Sequence, residues 1–333
     1  LKAAYLGFKA ADPELPVAIG GYAITPILPY ADVVMKNGAG EYFDIFSVHT
    51  YRPISEFPAA LRSIRSHLER FGAADRPIWF TENGSNMEGA GRADGLLPGL
   101  KAHSPEQEML IAEYLPKMMV IMQFLGVSRD FFFVLPPYNE SGGNKDWGLM
   151  RRDFSVKPGY AAFATLVDQL GGAVPEGEVR LGEKLRGFLY RRRDGGKTLV
   201  CWSRSELDTE KPRPNLTVTG LGEQTFALPP GGNPAGVDLF GTPFAVDPAR
   251  VVVTRYPQFL TGVDHLKADI PFRFPAAAVR PAETEGIDKT VVFRTELSDD
   301  FRLFVGRDCA DVKKAGARLR LQVWNLSDRA KRG

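Results

Sequence analysis

The sequence predicts an α/β region followed by all-β modules, on three observations. Over residues 1–172, short apolar runs alternate with longer amphipathic stretches, which is the pattern of repeated strands and helices. Beyond residue 172 the apolar runs stay short and are separated by Gly, Pro and Asp, which is typical of antiparallel strands. The apolar run just before Glu82 lacks polar alternation, as expected of a parallel strand covered on both faces.

The composition argues against several classes of protein. The 333 residues carry a net charge of +2 with 25% charged residues, so no strong field favours nucleic acid or a membrane surface. No run of about 18 apolar residues is present to span a bilayer. Cys201 and Cys309 lie far apart on different predicted modules, so we expect free thiols rather than a disulfide or a zinc site. We predict no cofactor and no metal.

The first region contains four predicted strand and helix repeats. The expected strands are residues 17–22, 44–51, 77–80 and 130–138, and the expected helices are residues 1–11, 30–36, 55–71, 104–125 and 157–170. Ser104, Pro105 and Gln107 form a helix start, with an N-cap, a proline at N1 and a capping-box residue. His67 lies in the middle of a helix among charged residues, so we expect it at the surface.

Three domains are predicted. Residues 1–172 form the α/β domain and residues 173–263 form a β-sandwich, with strands at 186–191, 198–202, 215–219 and 250–254. Residues 264–333 form a linker, rich in Pro, Ala and Glu, and the start of a further, incomplete β module.

Glu82 is the leading candidate for chemistry. It ends a predicted buried strand, at the position where barrels and open α/β sheets place their active sites. The alternative is a helix-capping or loop carboxylate. His49 and Tyr51 are two positions apart on the preceding strand, so they face the same side and can donate hydrogen bonds to Glu82. The alternative for these two is a satisfied core histidine and a packed tyrosine.

Four strand and helix repeats cannot close an eight-stranded barrel. Either the sheet is open, or four further strands precede Leu1. Strand and helix patterns alone leave both possibilities standing.

Five motifs, in order along residues 1–172, support the second possibility. They are residues 9–13 (KAADP), 20–21 (GG), 46–51 (FSVHTY), 79–84 (WFTENG), and 146–149 (DWGL) with 157–160 (KPGY). Together they resemble the second half, strands five to eight, of the (β/α)8 barrel in the clan of retaining glycoside hydrolases. The resemblance is greatest to glycoside hydrolase family 39, which includes β-xylosidases and α-L-iduronidases, and to similar family 5 relatives. The sandwich is similar to the β domain that often follows such barrels.

The resemblance implies roles for particular residues. Glu82 matches the catalytic nucleophile, and Trp147 matches an aromatic platform beneath a sugar ring. His49, Tyr51, Asn83, Tyr138 and Asn139 are expected to line the same carbohydrate site. The family's acid/base is the Glu of an Asn-Glu pair after strand four, so we expect it upstream of Leu1.

The implied function is retaining hydrolysis of O-glycosidic bonds in a poly- or oligosaccharide. The chain alone is expected to be inactive until it is joined by the missing N-terminal half-barrel, from the same gene product or a second polypeptide. Secretion or a periplasmic location is implied by the resemblance alone. The alternatives are a non-catalytic carbohydrate-binding protein, whose binding would depend on Trp147 but not on Glu82, and a structural module. Glu140, on the wrong strand for the acid, is interpreted as a loop carboxylate.

Overall fold

The computed structural model describes most of the chain, and the chain falls into two compact units. The described ranges are residues 1–23, 29–84, 104–140, 145–146, 148–205, 222–272, 291–297 and 319–325. The first unit comprises Leu1–Val48, Arg62–Trp79 and Pro275–Gly333, and the second comprises His49–Leu61 and Phe80–Phe274.

Helices and strands are interspersed over the first 172 residues, and from β1 to β3 they alternate as the sequence predicts. The helices are α1 (Lys2–Ala11), α2 (Pro29–Lys36), α3 (Phe57–Arg70), α4 (Pro105–Phe124) and α5 (Pro158–Leu170), with single 3₁₀ turns at Ala39–Glu41 and Ile54–Glu56. The strands are β1 (Phe46–Thr50), β2 (Ile78–Asn83) and β3 (Val127–Phe132), and β4 (Asn139–Glu140) pairs with β5 (Lys145–Asp146).

The first three strands form one sheet in the order β1-β2-β3. At the start of β1, the Phe46 amide donates to the Pro77 carbonyl (2.9 Å), and beyond its end the Gly84 amide donates to the Thr50 carbonyl (3.3 Å). Strands that meet start to start and end to end run parallel, so β1 and β2 deliver their carboxyl ends to the same edge. The Phe133 amide donates to the Asn83 carbonyl (2.7 Å), which brings the end of β3 to that edge as well.

Two predicted strands differ from those observed. Residues 17–22 make isolated parallel bridges, Ala18 to Ile45 and Tyr22 to Val48, rather than a strand. The adjoining Gly20 and Gly21 carry no side chains to pack on a pleated surface, which weakens a ladder. The fourth strand was expected at residues 130–138 but β3 covers Val127–Phe132. Pro136 and Pro137 have no amide hydrogens for a ladder, so pairing ends before them.

A buried ion pair joins α1 to the start of β1. The Lys9 side chain is fully buried, and its Nζ lies 2.9 Å from Oδ2 of Asp44. Lys9 also donates to the carbonyls of Pro13 and Leu15, at 3.1 and 2.8 Å. Asp44 accepts from the Tyr5 hydroxyl (3.0 Å) and from the Val17 amide (2.9 Å). Both charges therefore keep hydrogen-bond partners, which is the condition for burying an ion pair without a large penalty.

His67 is buried, so the prediction of a surface position was wrong. It is only 4% exposed, its Nδ1 lies 2.9 Å from Oδ1 of Asp32, and its ring packs 5.2 Å from that of Phe71. Burial lowers the pKa of His67, and Asp32 opposes this. The neighbouring charges suggested solvent, and Glu69 and Arg70 are indeed exposed, but Arg70 also bonds Asp32 at 2.7 Å beside the buried His67 ring. The position of Asp32 follows only from the fold.

Helix α4 begins as predicted. The Ser104 hydroxyl accepts a hydrogen bond from the Gln107 amide at 3.2 Å, and Pro105 occupies the first turn. Because the proline has no amide hydrogen, it costs nothing at a position whose amide lacks a helical partner. The cap therefore fixes the start of the longest helix.

The second half of the chain is antiparallel. Its strands are β6 (Val174–Glu178), β7 (Leu185–Arg191), β8 (Lys197–Ser203), β9 (Gln224–Phe226), β10 (Ala235–Val237), β11 (Pro243–Ala245), β12 (Val251–Val253), β13 (Gln258–Thr261) and β14 (Ile270–Pro271). Seven form a sheet in the order β11-β10-β13-β8-β7-β6-β14, and β12 pairs with β9. Both sheets contribute to one apolar core, which includes Leu189, Leu260 and Val253. Cys201 lies in this core as a free thiol, and burial raises its pKa to about 12.

The last module is represented by one hairpin. Strand β15 (Val291–Leu297) pairs antiparallel with β16 (Leu319–Asn325), and both belong to the first compact unit. The predicted strand at residues 215–219, the predicted linker and Cys309 lie outside the described residues. None of the described helices is long and apolar enough to cross a membrane.

A buried charged network connects α4 to the β region of the second unit. Glu113 accepts from Lys117 (2.7 Å) and Ser205 (2.7 Å) through Oε1, and from Arg255 (2.6 Å) through Oε2. The Glu113 and Lys117 side chains are 1% and 0% exposed. Burial acts to raise the pKa of Glu113, but Lys117 and Arg255 outweigh it and the pKa is lowered.

Replacing Glu113 should destabilise the protein strongly. Glu113→Gln leaves the Lys117 and Arg255 charges without a carboxylate, and an unpaired buried charge costs about 3–5 kcal/mol. Urea unfolding at pH 7 measures the loss in free energy of unfolding. The exposed control Glu223→Gln should change it by no more than about 0.5 kcal/mol.

The pH dependence gives a second check on the network. Because the folded pKa of Glu113 lies below its unfolded value, its contribution is present above the unfolded pKa and is lost as pH falls through the folded one. The difference between the wild type and Glu113→Gln should therefore shrink on acidification. A difference that stays constant from pH 7 to pH 3 would contradict the network's role.

Candidate active site

Glu82 occupies the end of a strand, where the sequence places it. It is the last but one residue of β2, and its side chain is 30% exposed. The residues before it, Ile78 and Phe80, are fully buried, which anchors the strand in the core. The strand therefore has a rigid apolar base and a carboxylate at its open end.

The neighbouring strand supplies one polar group to each oxygen of Glu82. The Tyr51 hydroxyl, just beyond β1, donates a hydrogen bond to Oε1 of Glu82. The Nδ1 atom of His49, on β1, lies 3.5 Å from Oε2. Both side chains point to the same face of the sheet because they are two positions apart on a pleated chain. The contacts fix the orientation of the carboxylate before any ligand binds.

Gly84 leaves space here that a larger residue would crowd. A Cβ atom at this position would lie 3.0 Å from the Phe133 carbonyl oxygen and 3.0 Å from the Tyr51 ring. The sequence suggested that Gly84 supplies backbone freedom, but its φ is not among the positive values found in the chain. A side chain at residue 84 would press against the ring that contacts Glu82.

Tyr114, which the sequence analysis missed, joins the ends of β1 and β2 through helix α4. Its hydroxyl lies 2.9 Å from the Arg52 carbonyl and 3.2 Å from the Gly84 carbonyl, and its side chain is 1% exposed. These two residues directly follow Tyr51 and Asn83. Nothing in the local sequence of a helix indicates such a contact, because it depends on where α4 packs.

Asn83 turns away from Glu82 and bonds to Asp130 on β3. Its Nδ2 lies 3.0 and 3.2 Å from the two carboxylate oxygens of Asp130. The Asn83 side chain is fully buried, and its Oδ1 has no hydrogen-bond partner among the described residues. Burial raises the pKa of Asp130 to about 7, while Asn83 and the Phe131 amide act to lower it. The sequence analysis did not identify Asp130 as part of the site, because the local sequence indicates only that a strand begins there.

The remaining predicted site residues, Tyr138, Asn139 and Trp147, come after β3 in the chain. Tyr138 is 40% exposed, and its ring packs edge-on 5.1 Å from that of Phe133, near the end of β3. Asn139 begins β4, where its backbone pairs with Asp146. Trp147 lies outside the described residues. Among the described residues, no group of three His, Cys, Asp or Glu side chains is arranged to hold a metal ion.

The fold is similar to that of clan-A glycoside hydrolases with a (β/α)8 barrel. A family 39 glycoside hydrolase from Bacteroides cellulosilyticus matches 70% of this chain and 48% of its own, with 16% identity and a TM-score of 0.51. A glucosidase from Croceicoccus marinus matches 78% of this chain and 62% of its own, with 16% identity and a TM-score of 0.53. The chain thus spans about half the length of the first protein and about three fifths of the second. No protein-family model and no curated protein matches it.

Asp130 should make stability depend on pH. Its folded pKa lies above its unfolded value, so the folded state holds a proton that the unfolded state has lost between about pH 4 and pH 7. The wild type therefore loses stability through this group as pH rises across that window. Asp130→Asn should gain stability relative to the wild type between pH 4.5 and pH 8, as measured by urea unfolding.

The exposed Asp168→Asn is the matched control and should show a constant difference from the wild type. An equally constant difference for Asp130→Asn would contradict the protonated state of Asp130 near neutral pH.

Proposed function

We propose that this chain is the C-terminal part of a retaining glycoside hydrolase, with Glu82 as its nucleophile. The observation that carries the proposal is the carboxylate of Glu82 at the end of a parallel strand, contacted on both oxygens by Tyr51 and His49. A nucleophilic carboxylate must be accessible and must point at the anomeric carbon, and these contacts provide orientation while leaving the group 30% exposed. The fold similarity to glycoside hydrolases supports a carbohydrate substrate.

In the proposed reaction, a Glu82 oxygen attacks the anomeric carbon while the bond to the leaving oxygen breaks. An acid delivers a proton to that oxygen, and the glycosyl group stays on Glu82 as an ester. The residue that served as the acid, now deprotonated, takes a proton from water as the water oxygen attacks the anomeric carbon. The ester bond to Glu82 breaks, which frees the Glu82 carboxylate and releases the sugar with retained configuration. Retention requires the two carboxyl groups to lie about 5–5.5 Å apart.

We place the acid/base outside residues 1–333, on the half-barrel that would complete the sheet. The chain spans 48% and 62% of the two similar structures, which leaves room for that half in a longer protein. Glu140 is not assigned this role. Residues 1–333 alone should accordingly show no glycosidase activity, and activity should require the remaining half-barrel in the same or a second polypeptide.

The proposed sugar site is built from His49, Tyr51, Tyr138, Asn139 and Trp147. A half-exposed tyrosine and an indole offer flat apolar faces to the C–H side of a sugar ring, while amide and imidazole groups bond its hydroxyls. Asn83 receives a positioning role instead of a sugar contact, because its side chain is buried against Asp130.

Loss of the Glu82 carboxylate should abolish turnover. In the protein containing both barrel halves, Glu82→Gln removes the attacking group, and we expect kcat on an aryl β-glycoside to fall by at least about a thousandfold. The exposed Glu183→Gln serves as the control and should retain the wild-type rate. Wild-type turnover in Glu82→Gln would refute the proposal, and glycan binding without hydrolysis by the wild type would favour a binding protein.

Loss of the Tyr51 hydroxyl should impair the reaction without unfolding the chain. Tyr51→Phe keeps the ring and removes the donor to Glu82, so kcat should fall about tenfold or more while KM changes little. Tyr160→Phe, at an exposed position on α5, should leave both constants unchanged. Equal kinetics for the two variants would show that the Tyr51 contact has no catalytic importance.

A further inference from the structure

A pocket that does not include Glu82 lies in the same compact unit, between α4 and the β region. Its volume is about 470 Å³, and its lining combines aromatic with charged side chains. The lining residues used below are Met109, Asp238, Phe240, Asp247, Arg250 and Tyr256. Phe240 is 42% exposed, so it offers a ring to a bound molecule rather than filling the core.

An adjoining pocket of about 340 Å³ extends this space. Met109 and Tyr256 line both pockets, and the second is also lined by one acidic and one basic side chain, Glu106 and Arg255. The Arg255 guanidinium lies 5.9 Å from the centre of the Tyr256 ring, and Tyr256 also packs against the cluster that contains Ala112 and Leu239. Because Met109 and Tyr256 line both pockets, we treat the two as one groove.

The polar groups in the groove retain free bonding capacity. Oδ1 of Asp238 accepts from the Phe240 and Thr242 amides at 2.9 and 2.8 Å, and Oδ1 of Asp247 accepts from the Ala249 amide at 2.9 Å. The second oxygen of each carboxylate makes no hydrogen bond among the described residues. The Arg250 side chain has no hydrogen bond or ion pair with any residue that the structure describes. Anchored carboxylates and an open guanidinium are ready to bond a ligand.

The balance of charges indicates the ligand. Asp238, Asp247 and Glu106 contribute three negative charges to the groove, and Arg250 and Arg255 contribute two positive charges, of which that of Arg255 is paired with Glu113. Charges of both signs therefore line the groove. They suit a neutral molecule with many hydroxyls, which accept from the Arg250 guanidinium and donate to the carboxylates, while its C–H faces pack on Tyr256 and Phe240.

We propose that this groove is an accessory binding site for a neutral oligosaccharide. The choice of a carbohydrate rests on the proposed function, while the groove itself is separate from the Glu82 site. Helix α4 connects the two, because it contributes Met109 to the groove and Tyr114 to the ends of β1 and β2. A polymer held in the groove would be retained by the enzyme between cleavage events.

Methionine methyl NMR tests the proposal on the protein that contains both barrel halves and carries Glu82→Gln, with xylohexaose and cellohexaose as probes. The Met109 methyl signal should shift on addition of at least one hexaose and saturate. The signal of Met118, which is fully buried on the same helix, should not move. Arg250→Ala should raise the Kd at least about tenfold, because it removes a charged donor. The exposed Arg180→Ala, in the same β region, should leave the Kd unchanged.

Absence of a Met109 shift with millimolar hexaose, or an unchanged Kd in Arg250→Ala, would overturn the accessory site. The proposed function fails differently. If the Met109 signal shifts but hydrolysis by the complete protein survives Glu82→Gln, the accessory site is supported and the assignment of Glu82 as nucleophile is refuted. If hydrolysis depends on Glu82 but the Met109 signal does not shift, the accessory site is refuted and the proposed enzymatic function is supported.

Discussion

The contact between Tyr51 and Glu82 depends on the parallel pairing of β1 and β2. Because both strands end at the same edge, Tyr51 and Glu82 come into hydrogen-bond contact although they are 31 positions apart in the chain. Gly84 leaves room for the tyrosine ring, and Tyr114 bonds to the carbonyls that follow both strands. The carboxylate is thus oriented by backbone geometry, which is more rigid than a loop would be.

Helix α4 buries charged side chains, including Glu113 and Lys117, among its apolar ones. Glu113 and Lys117 lie one turn apart, and Arg255 bonds to Glu113 from the β region. A charged network permits smaller displacements than a cluster of leucine side chains would, because each member must stay at hydrogen-bond distance from its partner. The network therefore fixes the rotation of α4 about its axis. That rotation in turn sets where Tyr114 and Met109 point.

The sequence predicts features that local physics determines. The Ser104 cap, the buried run before Glu82 and the shared face of His49 and Tyr51 all follow from short-range rules of geometry and hydrogen bonding. The predicted strand at residues 130–138 extended too far, because the aromatic run is typical of a strand while Pro136 and Pro137 cannot donate to a ladder. Asp130, Tyr114 and the buried side of His67 could not be predicted, because each is defined by a partner more than thirty positions away.

The central claim, that Glu82 becomes covalently attached to the sugar, can be tested by trapping the intermediate. A 2-deoxy-2-fluoro aryl glycoside with a good leaving group slows hydrolysis of the glycosyl ester more than its formation is slowed, so the adduct accumulates. The complete protein is incubated with this reagent, and intact mass and peptide mapping locate the added sugar. The account predicts one glycosyl group per chain, on the peptide that contains Glu82. An adduct on another carboxylate, or none in a protein that turns over the non-fluorinated glycoside, would contradict it.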